Sequence, residues 1–196
     1  MTDANIRPAS GPRLGSYSSG DFRRGRSALV EALWLVAQAV IMRGPLPGSS
    51  LRRSVLRLFG AQIGQNVTVK PGVRVKFPWR LKIGDNTWIG EDVWIDNLAD
   101  VEIGDNCCLS QGAYLCTGSH NWSSVTFDLI VKPIKVDEGA WVAARASVGP
   151  GVTVGRGAVL AFGAVASHDL DAWTIYAGAP AKAMRTRQIT ETLNPR

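Results

Sequence analysis

Aliphatic residues recur every six positions along most of this chain: Ile63, Val69 and Val75, then Ile83, Ile89 and Ile95, then Ile103, Leu109 and Leu115. After a break the pattern resumes at Val136, Val142, Val148, Val154 and Leu160. Four positions after nearly every one of these stands a small or β-branched residue: Val67, Thr87, Val93, Cys107, Ala113, Ala140, Ala146, Val152, Ala158 and Ala164. Two inward positions in six match neither a helical period nor the alternation of a half-buried strand. Larger units open at "LKIGDN" (81–86), "VEIGDN" (101–106) and "IKVDEG" (134–139), the first two 20 residues apart. Short flat strands joined by tight corners, three to a turn, satisfy this pattern when stacked as a parallel β-helix, each coil covering the interior of its neighbour. Glycine follows the aliphatic residue at Gly64, Gly84, Gly90, Gly104, Gly149 and Gly155, and the reading assigns these to corners that need positive φ.

The other segments follow from this core. "SALVEALWLVAQAVIM" (27–42) holds Glu31 and Gln38 and falls short of the ~20 apolar residues that cross a bilayer. It predicts a packed amphipathic helix, with interfacial membrane contact as the lesser reading. "GSSLRRSVLRLF" (48–59) predicts a second helix, N-capped by Ser49 or Ser50. Together they would cap the open end of the stack. The expected organisation is a flexible segment over 1–20, a helical cap over 21–60, the β-helix over 61–178 and a short C-terminal helical segment over 179–196. Between Cys116 and Pro133 the hexad pattern fails, so residues 116–133 are read as a loop extruded from the third coil. Long loops in compact domains are usually functional.

Charge sharpens the picture of the N-terminal third. Residues 1–60 carry nine arginines against Asp3, Asp21 and Glu31, while residues 61–196 balance, so the net charge of +6 lies entirely before residue 61. A basic segment can meet nucleic acid, an anionic membrane or a phosphorylated substrate. The absence of zinc-finger spacing, an RNP-like motif or a recognition helix argues against nucleic acid. Arg52, Arg53 and Arg57 are read either as a solvated face or as a guide toward a lipid-linked, phosphorylated sugar. Cys107, Cys108 and Cys116 form neither a disulfide framework nor a metal clamp, which fits reduced thiols in the cytoplasm.

The stretches "LRLFGAQIGQNVTVKPGV", "PWRLKIGDNTWIGEDVWIDNL", "LSQGAYLCTGSHNW" and "YAGAPAKAMR" resemble the hexapeptide-repeat acyltransferases over roughly residues 20–187. The similarity is strongest to the branch holding colanic acid biosynthesis acetyltransferases, with maltose and galactoside acetyltransferases as cousins. The resemblance implies a left-handed parallel β-helix, a homotrimer with sites between subunits, and direct transfer of acetyl from acetyl-CoA to a sugar hydroxyl without an acyl-enzyme or a metal. Such a transfer needs a base for a very weak acid, and a neutral imidazole suits the task.

The resemblance makes His120, at the start of the extruded loop, that general base. It places Asp128 as the carboxylate that holds the imidazole's tautomer, with a solvated loop acid as the other reading, and Asn97 as an acceptor contact. A turn role for Asn97 is nearly as good a reading. Ala144, Phe162, Ser167, His168, Lys182 and Arg185 would lie along the CoA chain, the cations suiting its phosphates. Phe162 and His168 depart from the family's usual small and basic residues. Trp88, Trp94 and Trp141 point outward in the repeat and are read as a strip covered in the trimer.

Two rivals share this fold. A γ-class carbonic anhydrase needs three histidine ligands per zinc, and this chain has His120 and His168 in different contexts. A non-catalytic scaffold has no use for an extruded histidine loop.

Overall fold

The computed structural model describes residues 11–44 and 48–190. Three parallel sheets form the walls of a prism. The first stacks Gln62–Ile63, Leu81–Ile83, Val101–Ile103, Ile134–Val136 and Thr153–Val154. A second stacks Thr68–Val69, Trp88–Ile89, Cys108–Leu109, Trp141–Val142, Val159–Leu160 and Thr174–Ala177. The third holds Arg74–Val75, Trp94–Asp96, Tyr114–Cys116, Ser147–Val148 and Val165–Ala166. Each coil contributes one strand to each wall, as the six-residue period predicts. All the small and β-branched positions named above are buried, as are the aliphatic positions except the half-buried Ile63. The interior is therefore a continuous column of stacked side chains, which supplies the hydrophobic driving force of the fold.

The corners differ from the expectation in an instructive way. None of the six glycines that follow the aliphatic residues has positive φ; at four of these corners that conformation falls two residues later, on Asn66, Asn86, Asp92 and Asn106. Asparagine and aspartate tolerate the left-handed region because their short polar side chains bond locally. The glycine answers a different need, close approach of the next coil. A Cβ on Gly84 would stand 2.7 Å from the carbonyl carbon of Gly104 and from the backbone nitrogen of Asp105. The same corners carry a side-chain ladder, with Asp85 Oδ1 accepting from the Gln65 N–H and Asp105 Oδ1 from the Asp85 N–H, both at 2.7 Å.

Helix α1 (Ala28–Ala37), continued by a wider turn over Gln38–Met42, and helix α2 (Ser49–Leu58) cap the first coil. An exposed strand edge is a template for aggregation, and here each of the three edge strands is covered. Arg57 donates to the Ile63 carbonyl at 2.8 Å and Arg53 to the Val67 carbonyl at 2.5 Å. Ser49 Oγ both accepts from the Val69 N–H and donates to its carbonyl. On the third wall, Gln38 Oε1 accepts from the Val75 N–H at 2.7 Å and Trp34 Nε1 donates to the Val75 carbonyl at 2.9 Å. Ser49 thus lies inside the helix with Gly48 at the N-cap, a correction to the expected serine cap. The reading of Arg52, Arg53 and Arg57 as a phosphate guide is corrected too: Arg52 is 2 % exposed and donates to the Gly48 carbonyl, and the other two hold the prism edge.

Three further expectations change. The C-terminal segment expected to be helical forms the strand Lys182–Thr186, antiparallel to Thr174–Ala177, while residues 191–196 lie outside the described residues. Trp88 and Trp141 share the outer face of the second wall with Cys108 between them, but Trp94 sits on the third wall, sandwiched between the Arg74 guanidinium and the Tyr114 ring. The three tryptophans therefore form no single strip. Of the segment expected to be flexible, residues 1–10 are outside the described residues. Residues 11–20 run against the extruded loop, where the Arg13 N–H donates to the Val125 carbonyl at 2.7 Å.

Candidate active site

The interrupted repeat is an antiparallel hairpin, Gly118–His120 against Leu129–Val131, leaving the prism at the edge between its third and first walls. Its base is pinned by the Thr117 N–H to the Asp96 carbonyl and by the Lys132 N–H to the Thr117 carbonyl at 2.9 Å. His120 ends the outgoing strand. Phe127, in the connecting turn, has φ +51°, a left-handed conformation that a bulky residue adopts only under constraint. That backbone brings the Phe127 carbonyl to 3.0 Å from His120 Nδ1 and lays its ring parallel to the imidazole at 4.3 Å. A carbonyl only accepts, so in the neutral ring Nδ1 carries the proton and Nε2 presents the lone pair.

His120 lines a cavity of about 600 Å³, within the range of small-molecule sites. The cavity climbs the prism edge to α1, with Phe77 and Leu98 from the two coils above the hairpin and Trp34 and Glu31 from the helix. Tyr17 and Phe22 close it from the N-terminal segment, and the Tyr17 ring lies tilted on His120 at 5.8 Å. Its charges are internally balanced: Arg24 pairs with Glu31 at 2.7 Å and Lys76 with Asp96 at 3.0 Å. Aromatic walls with a few polar groups suit the apolar faces and hydroxyls of a sugar.

Two residues expected at the site engage other partners. The Asp128 carboxylate accepts from Ser124 Oγ at 3.0 Å, and the imidazole's Nδ1 is met by the Phe127 carbonyl. Asn97 is 0 % exposed and fully used: Nδ2 donates to the Phe77 and Arg80 carbonyls, and Oδ1 accepts from the Phe77 N–H at 3.0 Å. The side chain read as an acceptor contact is a bracket for the corner that carries Phe77. Replacing Asn97 with Ala strands two buried backbone groups of Phe77 and the half-buried Arg80 carbonyl, at about 1–3 kcal/mol for each buried group. The expected result is a marked loss of thermal stability; an unchanged melting temperature with a raised acceptor KM would restore the contact role.

The six positions expected along CoA lie elsewhere on the prism, with Ser167 and His168 on the hairpin's own edge but two coils further along. Ala144 and Phe162 occupy consecutive corners between the second and third walls, joined by the Gly163 N–H to the Ala144 carbonyl at 3.0 Å. Phe162 is exposed. Ser167 and His168 follow the third wall's last strand and bond each other at 3.0 Å, with both side chains in solvent. Lys182 and Arg185 are exposed on the C-terminal strand. None of the six lines the His120 cavity within one chain. Among the described residues no group of three or more His, Cys, Asp or Glu is placed to hold a metal ion.

The family model described as the hexapeptide repeat of succinyl-transferase matches residues 80–116. The Escherichia coli K12 protein named as colanic acid biosynthesis acetyltransferase WcaF is 38 % identical over 170 residues, covering 87 % of this chain and 93 % of its own. This chain belongs to the hexapeptide-repeat acetyltransferases. Another member, the galactoside O-acetyltransferase of Escherichia coli K12, is 26 % identical over 68 % of both chains. The hexapeptide-repeat acetyltransferase VCA0836 of Vibrio cholerae O1 biovar eltor, solved with acetyl-CoA, superposes with a TM-score of 0.74 at 26 % identity, covering 84 % of this chain and 92 % of that one.

Sequence reasoning missed the N-terminal segment that closes the cavity in this acetyltransferase family member. Tyr17 and Phe22 stand in the Ser- and Gly-rich "SYSSGDF", whose composition suggested flexibility. The available signal was two aromatics five residues apart in a segment otherwise without large side chains.

Proposed function

We propose that this protein is an acetyl-CoA-dependent O-acetyltransferase acting on a sugar hydroxyl in exopolysaccharide or surface-glycan assembly. The observation that carries the reading is the base-ready imidazole of His120 on the wall of an aromatic-lined cavity. His120 Nε2 takes the hydroxyl proton as the acceptor oxygen attacks the thioester carbonyl, and returns it to the departing thiolate. No covalent enzyme adduct is needed. Phe127 keeps the tautomer through its backbone carbonyl, so Asp128→Asn should change the transfer rate by less than about threefold, whereas loss of a tautomer-holding carboxylate costs orders of magnitude.

Ala144 and Phe162 lie on a different prism edge from the hairpin and Ser167 and His168 on the same edge two coils away, and a site built between subunits would bring such positions to a neighbouring hairpin. The exposed Trp88 and Trp141 on the second wall support a homotrimer as the assembly that does so. Lys182 and Arg185 would then face the CoA phosphates. Acetyl-CoA is a cytoplasmic metabolite, and we place the reaction in the cytoplasm, at the inner face of a membrane where glycan intermediates are built.

The test measures CoA release from acetyl-CoA over free, nucleotide-linked and lipid-linked sugars, with product mass and light scattering alongside. Acceptor-dependent turnover by a trimer is expected. A folded trimer that transfers acetyl to no acceptor would favour the scaffold reading, and a monomer with full turnover would remove the intersubunit site.

A further inference from the structure

Helix α1 is turned the wrong way round for a helix in water. A surface helix ordinarily buries an apolar stripe and shows water its polar face. Here the side chains turned to the protein include the two polar ones. Glu31 pairs with Arg24 and Gln38 holds the Val75 N–H, beside the buried Trp34 and Met42. The outward face carries Leu29, Leu33, Val36 and Val40, spaced to lie along one side of the helix, together with Leu35; these five are 54–69 % exposed. No charged residue interrupts them, since Ala28, Ala32 and Ala39 fill the remaining exposed positions. Helix α2 by contrast mixes the exposed Leu51 and Leu58 with Ser50, Ser54 and Arg57 on its solvent side. Leaving such a contiguous apolar face wet is costly, and something covers it.

Charge selects the cover. Exposed Arg23, Arg24 and Arg26 precede the helix and exposed Arg43 follows its last turn. Pairing two copies of α1 antiparallel would set these like-charged ends against each other, which is unfavourable. An anionic lipid surface accepts both ends and the apolar face together. Among the described residues no helix is long and apolar enough to cross a membrane, so the helix lies in the plane of the interface. The same helix is the upper wall of the His120 cavity: Leu35 belongs to the exposed apolar face and also lines the cavity, next to Trp34 and Glu31.

We propose that the outward face of α1 docks in the headgroup layer of an anionic membrane, holding the mouth of the cavity against the lipid surface. The docking stands independently of the catalytic reading; its consequence, that the preferred acceptor is a saccharide on a lipid carrier, rests on that reading.

The experiment is co-sedimentation of the full chain with vesicles of phosphatidylcholine alone or of phosphatidylcholine mixed with phosphatidylglycerol. Wild type is expected to bind the anionic vesicles at least about tenfold more tightly than the neutral ones, and to be released by salt. The variant Leu29→Gln, Leu33→Gln, Val36→Gln, Val40→Gln keeps good helix formers and should lose binding by about tenfold or more with an unchanged melting temperature. If that variant does not fold, Arg23→Gln, Arg26→Gln, Arg43→Gln serves instead, with a comparable loss expected on anionic vesicles only. Absence of wild-type binding, or binding undiminished in the folded variants, overturns the proposal. So does a larger wild-type assembly that the glutamine variant dissolves without any vesicle binding, which would assign the face to a second copy. No acetyl donor or acceptor is present, so the outcome is read separately from any failure of the transfer assay.

Discussion

Acceptor-dependent acetyl transfer by His120→Ala should fall by about 100-fold or more, the ordinary worth of a positioned general base. That loss corresponds to about 2.7 kcal/mol of transition-state stabilisation. It should appear in kcat with little change in acceptor KM, because proton removal is required as the bond forms and not as the sugar binds. The fold should tolerate the change: His120 sits on a hairpin outside the prism, held by one backbone contact and by ring contacts with Phe127 and Tyr17. Thermal unfolding of the variant within a few degrees of wild type is the necessary control. Full turnover in a folded His120→Ala protein would exclude the base assignment and require another proton acceptor in the cavity.

The second large effect concerns stability. Trp34 is 1 % exposed, packs on Phe59 with ring centroids 5.2 Å apart, and donates to the Val75 carbonyl at the prism's open end. Trp34→Ala should cost about 3–5 kcal/mol through the cavity it leaves, with about 1–3 kcal/mol more from the stranded carbonyl. For a chain of this size that is a fall of about 10 °C or more in melting temperature, measured at one protein concentration so that assembly is held constant. Trp34→Phe separates the two contributions, since it retains most of the apolar volume and loses only the N–H donor. A fall below about 3 °C for the alanine variant would mean that α1 is not needed to close the stack.

Much of the molecule was legible in its sequence because a solenoid repeats one local problem. Each inward position meets the same column of neighbours, so Ile83, Ile89 and Ile95 report their burial without any long-range information. The break after Leu115 was legible for the same reason, and the histidine inside it stood out against a regular background. The glycine corners were misjudged where the cause was not local. Gly84 is required by the backbone of Asp105 in the next coil, and a single corner's sequence does not reveal how near that coil passes. Spacing brought Asp128 and Asn97 near the expected site, while it is hydrogen bonds to Ser124 and to the Phe77 corner that engage their side chains.

By itself the sequence determined the three-walled prism, the capped first coil, the extruded loop and the family. All of these follow from periodicity and from short contiguous motifs, which are local properties. Only the tertiary structure decided that a backbone carbonyl meets His120, that Tyr17 and Phe22 close its cavity, that Arg53 and Arg57 serve the prism edge, and that α1 turns its leucines outward. Those outcomes depend on which distant groups satisfy each polar atom once the chain is packed. A buried N–H or carbonyl must find a partner wherever the fold provides one, and a single sequence carries no period that announces the choice.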